Sequence, residues 1–330
     1  RDAQESRGLG DVYKRQDKMS AEQIASEMYA IACSFGLSAG TNQSWIEISG
    51  LSENMGKAME IVEGLIAGAQ PNEEILQNLK GDMIKSRADA KLNQSRCFGA
   101  LQRYMIYGSD FIRRTTLTDP ALQGLTSEQL LAKIGDLMGK QHEVLYYGPQ
   151  DEAEVKAALA AHHKVAADLQ PLEKKFSTLQ PTDENKVMLA QYDAKQLYYM
   201  QYSNRGEKFD LAADPQITLY NEYFGGGMNT IVFQEMREAR GLAYSAWANL
   251  AIPTNAKGDY YYMAFIATQN DKMQKAIEAF DEIINNMPES EKAFSIAKEA
   301  LISRLRTERT VKDGVLWSCL LYTSDAADDK

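Results

Sequence analysis

The chain has 330 residues and a net charge of −10, from 36 Lys and Arg against 46 Asp and Glu. This acidic balance argues against a nucleic-acid-binding protein, which needs a basic face to displace counterions. Three Cys are too few for a disulfide framework, and no apolar run approaches the length of a membrane-spanning helix. The length predicts roughly two domains.

The two ends of the chain lack the periodicity of folded elements. Residues 6–16 read SRGLGDVYKRQ, and residues 319–330 read CLLYTSDAADDK. Both strings look like translations of a transposon-end sequencing adapter. We therefore predict that residues 1–16 and 319–330 are adapter-derived, and that residues 17–318 are a piece of a longer protein.

Residues 17–163 are predicted to form the first domain, truncated at its N-terminus. A capping box at Ser20 and apolar residues at helical spacing predict a helix that ends at Gly36, with Cys33 as a buried thiol inside it. Alternation and further helical patterns then predict a strand, a helix and a long helical stretch, at residues 45–48, 54–69 and 71–107 respectively.

Further helices and a strand are predicted in the rest of this domain from the same kinds of pattern. The run Thr126–Gln129 predicts a helix start, because a capping residue is followed three positions later by Gln. Residues 142–147 are predicted as a strand and residues 151–163 as a short helix. Residues 164–185 have little period and two Pro, so we predict that they form the linker between the domains.

Residues 186–318 are predicted to form the second domain, truncated at its C-terminus. It begins with strand-like runs at 186–192 and 196–202, and residues 244–252 and 260–268 predict an antiparallel pair. Helices are predicted at residues 217–224, 228–239, 272–286 and 289–309. The whole pattern predicts an α+β fold of two homologous domains, each a mostly antiparallel sheet with helices packed on one face.

The residues give little support for a metal site or for a catalytic nucleophile. A zinc peptidase needs ligands on one helix face, as in H-x-x-E-H, and the chain has only His142, His162 and His163. His162 and His163 are adjacent, so their side chains diverge on a helix, and His142 has no His nearby in sequence. Cys33 and Cys97 likewise have no neighbouring His. We predict no metal site and no catalytic residue in this chain.

The glycine run Gly225-Gly226-Gly227 lies between two predicted helices. Its N–H groups are suited to holding an anion at a helix start, but no dinucleotide or Walker fingerprint surrounds them. The alternative is a loop that lets another segment approach the backbone closely. Three further cations, Arg304, Arg306 and Arg309, are predicted to form a solvated helix face.

The stretch YNEYFGGGMNTIVFQEMREARGLAY, residues 220–244, resembles the second-domain signature of the pitrilysin/insulinase-type zinc metallopeptidases. The match comprises the glycine run, Phe233-Gln234-Glu235, Arg237-Glu238 and the run Arg240–Tyr244. The turn at residues 50–54 and the run at residues 146–149 are similar to the preceding domain of that family.

The resemblance implies two homologous halves that close around a chamber, one carrying a zinc motif and the other contacting substrate. It implies that this chain is the non-catalytic C-terminal half, with no cofactor of its own, while zinc belongs to the catalytic half of the parent. Arg237, Tyr244 and Gly225, Gly226 and Gly227 are then the residues expected to bind a peptide substrate.

Two alternatives remain open. The first, from the residues alone, is that Arg237 pairs with a Glu and Tyr244 packs in the core. The second is that the chain is an inactive structural relative that serves as a core subunit of a larger assembly. The expected partners are a peptide and the catalytic N-terminal half, in the same chain or in a partner subunit. The sequence indicates no compartment.

Overall fold

The computed structural model describes residues 21–40, 43–172, 178–253, 257–309 and 314–316. The two predicted adapter-derived ends lie outside the described residues, and so does Ser20, which begins the predicted capping box. Part of the predicted linker, residues 173–177, also lies outside them.

The chain divides into two compact units. The described residues within Arg1–Asp89 and Arg113–Phe176 belong to the first unit, and those within Ala90–Ile112 and Ser177–Lys330 belong to the second. The bounds predicted above for the two domains and their linker stay a prediction.

The first unit combines one β-hairpin with several helices. Its hairpin pairs the two strands antiparallel, from Cys33 opposite Gly50 to Ala39 opposite Ser44. The elements in chain order are α1 (Ala21–Ala30), β1 (Cys33–Ala39), β2 (Ser44–Gly50), α2 (Met55–Ala67), α3 (Glu73–Lys91), α4 (Gln94–Thr115), α5 (Asp119–Gly124), α6 (Ser127–Met138) and α7 (Glu152–His162). Helix α4 is divided between the two units.

The prediction of one helix through Gly36 was wrong. Helix α1 ends at Ala30, and Ala32 adopts a positive φ of 50° that breaks the helical path. Residues 33–39 then form a strand, because Cys33, Phe35 and Leu37 alternate with small or polar residues and turn toward the core. Cys33 therefore lies on a strand, partly buried, rather than in a helix.

The core of the first unit forms between α1, α2 and the hairpin. Its buried residues recur at helical spacing on two helices, which gives each helix one apolar face. They are Ile24, Met28, Ala58, Ile61, Val62 and Leu65.

The long helical stretch predicted at 71–107 is two helices, α3 and α4. The chain breaks at Leu92 and Asn93, where the Asn93 side-chain oxygen accepts a hydrogen bond from the Arg96 backbone N–H at 2.9 Å. Such a local side-chain cap starts a new helix instead of continuing the old one. The capping box predicted at Thr126 and Gln129 is present and begins α6.

Two predicted strands do not form. Residues 142–147 and 186–192 have no regular structure, and Val187 and Leu189 are 96% and 85% exposed. An alternating pattern becomes a strand where a neighbouring strand takes up its backbone N–H and C=O groups. In the described part of the first unit, the strands that pair in a sheet are β1 and β2. Next to residues 142–147, an isolated β-bridge joins Lys140 with Gln170.

The second unit contains a three-stranded antiparallel sheet in the order β3-β5-β4. The predicted pair is confirmed, with Ser245 opposite Ala267 and Ala251 opposite Tyr261. The elements in chain order are β3 (Gln196–Ser203), α8 (Asp214–Phe224), α9 (Ile231–Phe233) continuing as a π-helical segment (Gln234–Ala239), β4 (Ser245–Ala251), β5 (Tyr261–Gln269), α10 (Met273–Asn285) and α11 (Glu291–Thr307).

Both faces of this sheet are contacted within the second unit. On one face, Ala264 and Ile266 are fully buried in a core that includes Phe280 of α10. On the other face, the ring of Phe265 lies 5.7 Å from that of Phe98 on α4. The predicted α+β class with antiparallel sheets is confirmed, and no helix among the described residues is long and apolar enough to cross a membrane.

Candidate functional site

The glycine run begins at a close contact between α8 and β4. Gly225 is buried directly after α8, and a Cβ atom placed on it would lie 2.0 Å from the carbonyl oxygen of Ala248. The Ala248 N–H donates to the Gly225 carbonyl at 3.2 Å. Gly225 therefore allows a helix end to touch a strand backbone, and no residue with a side chain fits there without displacement.

The backbone amides of this run are already engaged. The N–H groups of Gly225 and Gly226 both donate to the carbonyl of Asn221, at 3.2 and 2.8 Å. They close the C-terminal end of α8, as helix ends commonly do. Two of the three amides therefore do not point at a ligand, which disfavours the anion-binding interpretation.

Gly226 and Gly227 are exposed and border a cavity of about 430 Å³. At its edge Arg304 donates to Glu222 at 2.7 Å, so this Arg has a role that the sequence analysis did not assign. The other lining residues are Thr218, Asn221, Asn249, Leu250 and Ile252. Arg237 and Tyr244 do not border this cavity.

Arg237 lies on the π-helical segment. The Arg240 N–H donates to the carbonyl of Glu235, five residues back, which is the bonding pattern of a π-helix. Met236 is fully buried, and Arg237 turns the opposite way with 43% of its side chain exposed. π-Helical turns are uncommon and frequently occur at functional sites.

The structure brings Arg237 and Tyr244 together. The guanidinium carbon of Arg237 lies 5.4 Å from the centre of the Tyr244 ring and 5.0 Å from that of Phe233. Both distances are within the range of a cation–π interaction. Between the two residues the chain passes from the π-helical segment to β4 through Gly241, whose φ is 57°.

Tyr244 is an exposed residue and not part of the core. It is 69% exposed, while its backbone N–H is fixed by a 2.8 Å hydrogen bond to the carbonyl of Ala267 on β5. The alternative that Tyr244 packs inside the core was wrong, because the start of β4 directs this ring to the surface.

The charges around Arg237 differ from those around its neighbour Arg240. Arg240 donates to Glu282 at 2.8 Å and lies 3.5 Å from Glu235, and the hydrogen bond with Glu282 raises the pKa of its guanidinium. Arg237 Nε lies 3.6 Å from Glu238 Oε1, so the two side chains form an ion pair, as the alternative expected, at a distance beyond good hydrogen-bond geometry. Carboxylates thus hold Arg240 more closely than Arg237.

Sequence analysis missed Phe233 as a partner of the site. Its ring lies under Arg237 because the two residues are four positions apart in a helical path. This i, i+4 spacing was readable from the sequence.

His142 has no His nearby in sequence, but it lies close to one in space. His142 and His163 meet with their Nε2 atoms 2.9 Å apart, although 21 residues separate them. In the part of the chain that the structure describes, no group of three or more His, Cys, Asp or Glu residues is placed to hold a metal ion. These residues do not fit a zinc site, and the zinc expected in the parent stays a prediction.

The comparisons with known proteins decide the family. The model of the family described as peptidase M16 inactive domain matches residues 126–301, more than half of the chain. The chain belongs to this family. The resemblance to the pitrilysin-type peptidases is thereby confirmed, and so is the coarser prediction of a non-catalytic, peptidase-like part.

Solved structures share the M16 fold. A peptidase M16 inactive domain from Pseudomonas fluorescens is 17% identical, with a TM-score of 0.67, over 97% of this chain and 76% of that chain. The periplasmic protease PqqL from Escherichia coli is 13% identical, with a TM-score of 0.75, over 98% of this chain and 36% of that chain. At such identities the likeness shows the fold alone.

A third similar structure is the ferredoxin protease FusC, solved in complex with Arabidopsis ferredoxin. It is 10% identical, with a TM-score of 0.71, over 92% of this chain and 33% of that chain. The M16 chain thus spans about a third of the length of PqqL and FusC. No curated protein sequence matches it.

Proposed function

We propose that this chain is the substrate-binding, non-catalytic half of a zinc-dependent metalloendopeptidase, and that Arg237 and Tyr244 contact the peptide. The observation that carries the proposal is the exposed pair itself, with the Arg237 guanidinium 5.4 Å from the centre of the Tyr244 ring. An exposed cation held against two aromatic rings has little purpose in folding, since exposed pairs contribute little to stability.

The chemistry of the pair suits a peptide backbone. The guanidinium has five N–H donors in a planar fork, and the tyrosine hydroxyl donates one more hydrogen bond. Peptide carbonyls and side-chain carboxylates are the acceptors that such donors match. The rings of Phe233 and Tyr244 hold the guanidinium by its face, so its N–H edges stay available.

Gly226 and Gly227 are proposed to contribute a second contact region. They border the 430 Å³ cavity, which has the volume for a side chain or a short piece of peptide. Its wall carries the Arg304–Glu222 ion pair and the Asn249 amide, so it offers both donors and acceptors. Gly225 has a structural role and is not part of this proposal, because it is buried against β4.

The partner proposed for this half is a catalytic half that supplies zinc. The similar proteases PqqL and FusC are about three times as long as the aligned part, which supports a larger parent protein. FusC was solved with a protein bound to it, and we propose by analogy that a polypeptide is the substrate here.

The test uses the complete parent protein and a peptide cleavage assay. We expect Arg237→Ala to raise KM about tenfold and Arg237→Lys to recover part of this loss, because Lys keeps the charge but loses the fork. Tyr244→Phe keeps the ring beneath Arg237 and removes the hydroxyl, so we expect kcat/KM to fall severalfold with Arg237 still in place. Arg306→Ala, on the exposed side of α11, is the matched control.

Unchanged kinetics in both Arg237→Ala and Tyr244→Phe would defeat the substrate-contact role. If the complete parent neither binds zinc nor cleaves peptides, the alternative of an inactive core subunit is correct instead. The chain alone is expected to cleave nothing, and chelator-sensitive cleavage by it would contradict the assignment as the non-catalytic half.

A further inference from the structure

Thr268 is a buried polar residue near the C-terminal end of β5. It is 1% exposed, and its hydroxyl donates to the Leu242 carbonyl at 2.6 Å. A β-branched side chain suits a strand, but valine has the same shape and brings no hydroxyl that must be satisfied in the core. The hydroxyl therefore serves the segment to which it is bonded, rather than the packing of β5.

The amide that the Thr268 hydroxyl contacts is held at both ends. This amide joins Leu242 to Ala243, and its N–H donates to the Met236 carbonyl at 3.2 Å. Hydrogen bonds at both ends of one amide polarise each other, so each is stronger than it would be alone. A continuous path of hydrogen bonds thus runs from Thr268 to Met236, the residue before Arg237.

This path also fixes the backbone next to Tyr244. Ala243 is its neighbour in the chain, and the Tyr244 N–H donates to the Ala267 carbonyl at 2.8 Å. Tyr244 is 69% exposed, so packing in the core does not determine where its ring lies. The ring stays 5.4 Å from the guanidinium carbon of Arg237 because the backbone from Leu242 to Tyr244 is held.

Lys272 holds the neighbouring carbonyl. Its ammonium donates to the Gly241 carbonyl at 3.2 Å, from the short 3₁₀ turn (Asn270–Lys272) between β5 and α10. This bond is exposed, so water competes for both of its groups, whereas the Thr268 hydroxyl is buried. Thr268 is therefore the stronger anchor, and Lys272 limits how far the segment shifts when the hydroxyl is removed.

We propose that Thr268 is a positioning residue for the pair formed by Arg237 and Tyr244. Its hydroxyl fixes the amide between Leu242 and Ala243, and thereby keeps the Tyr244 ring against the Arg237 guanidinium. Thr268 itself is buried and does not touch a peptide. Its effect on peptide binding rests on the function proposed above, whereas its effect on the contact between Arg237 and Tyr244 does not.

The first test measures that contact directly, by nuclear Overhauser effects between the Tyr244 ring protons and the Arg237 side chain in the full chain. Thr268→Val removes the hydroxyl and keeps the shape of the side chain. We expect the Overhauser effects to fall by about half in Thr268→Val, because the carbonyl loses its donor and the segment shifts. Thr268→Ser keeps the hydroxyl and should restore them.

Thr182→Val is the matched control, because it removes a hydroxyl that also donates to a backbone carbonyl of the second unit. The Thr182 hydroxyl donates to the Asn204 carbonyl at 2.9 Å, just after the end of β3, while Thr268 lies opposite Leu197 near its start. Thr182→Val should leave the Overhauser effects unchanged. An equal loss in both valine variants, or no loss in Thr268→Val, would overturn the positioning role.

A second pair of variants keeps the test decisive if Thr268→Val does not fold. Thr268→Ala and Thr268→Ser both lose a methyl group, and they differ in the hydroxyl alone. The contact between Tyr244 and Arg237 should then be weaker in the alanine variant than in the serine variant. Equal Overhauser effects in these two variants would contradict the proposal.

The kinetic test uses the complete parent protein. We expect Thr268→Val to raise KM severalfold, by less than Arg237→Ala, with kcat changed less than about twofold. In a Tyr244→Ala background, adding Thr268→Val should change KM less than about twofold, because the ring that it positions is absent. A merely structural role would raise KM by the same factor in both backgrounds, and that result would refute positioning.

The outcomes separate this proposal from the function on which it rests. If Arg237→Ala and Tyr244→Phe leave the kinetics unchanged, the substrate-contact role fails, and the Overhauser effects still decide the role of Thr268. If those two variants lower kcat/KM but Thr268→Val changes neither the Overhauser effects nor KM, the positioning role fails alone.

Discussion

The side-chain amide of Asn221 forms two hydrogen bonds with the backbone of Leu250. Its Nδ2 donates to the Leu250 carbonyl and its Oδ1 accepts from the Leu250 N–H, both at 2.9 Å. An amide side chain on α8 thereby takes the place of a neighbouring strand at the outer edge of β4. Strand β4 is an edge strand, so these backbone groups have no partner from another strand of the sheet.

Replacing Asn221 with Ala should destabilise the second unit by about 1–2 kcal/mol, because the N–H and C=O of Leu250 both lose their partner. The free energy of unfolding from urea denaturation measures this loss. The matched control is Asn229→Ala, since Asn229 is exposed in a turn. An Asn221→Ala variant as stable as Asn229→Ala would contradict the role assigned to the amide.

The glycine run offers a paired prediction. Gly225→Ala places a Cβ 2.0 Å from the Ala248 carbonyl oxygen, and because the obstacle is backbone it cannot move aside cheaply. We expect a loss of about 3 kcal/mol. Gly227→Ala meets nothing within 4 Å and should change stability by less than about 0.5 kcal/mol. The midpoints of thermal denaturation of the two variants test this prediction. Equal midpoints would refute the close contact between Gly225 and Ala248.

A third prediction concerns acid stability of the first unit. Hydrogen bonds from the backbone N–H and hydroxyl of Ser127, at 2.7 and 2.8 Å, lower the pKa of Glu73. A lowered folded-state pKa stabilises the fold above the ordinary pKa of glutamate, and this contribution is lost as pH falls through the folded value. The unmodified chain should therefore lose stability more steeply than Glu73→Gln between about pH 5 and 3.

Denaturation midpoints measured across that pH range test the Glu73 prediction. Glu74→Gln is the control, since Glu74 is the exposed neighbour in the same helical turn. Parallel pH profiles for the unmodified chain and Glu73→Gln would show that the Ser127 contacts do not matter for stability.

Local signals in the sequence predicted much of the second unit. Alternation on both sides of a Pro- and Gly-containing turn predicted the β4–β5 pair, and the register confirms it. The capping box at Thr126 was equally local. The meeting of Arg237 and Tyr244 could be anticipated because Gly241 supplies the turn between them.

The predictions that failed concern residues whose structure depends on tertiary neighbours, or whose sequence fits two periodic patterns at once. Residues 31–37 fit a helical period and a strand period at once, and pairing with β2 decided for the strand. The contacts of Gly225 with Ala248 and of His142 with His163 join residues more than twenty positions apart, so no local pattern contains them. Residues 186–192 alternate like a strand but stay irregular and exposed.

The closure of the β4 edge limits how a polypeptide can bind to the second unit. Extended peptides often bind by adding a strand to an exposed sheet edge, through the backbone groups there. At β4 the N–H of Ala248 donates to Gly225, and the N–H and C=O of Leu250 are both bonded to Asn221. A substrate that contacts Arg237 and Tyr244 cannot extend the sheet at these positions, so we expect the side chains of Arg237 and Tyr244, and not the β4 backbone, to bind it.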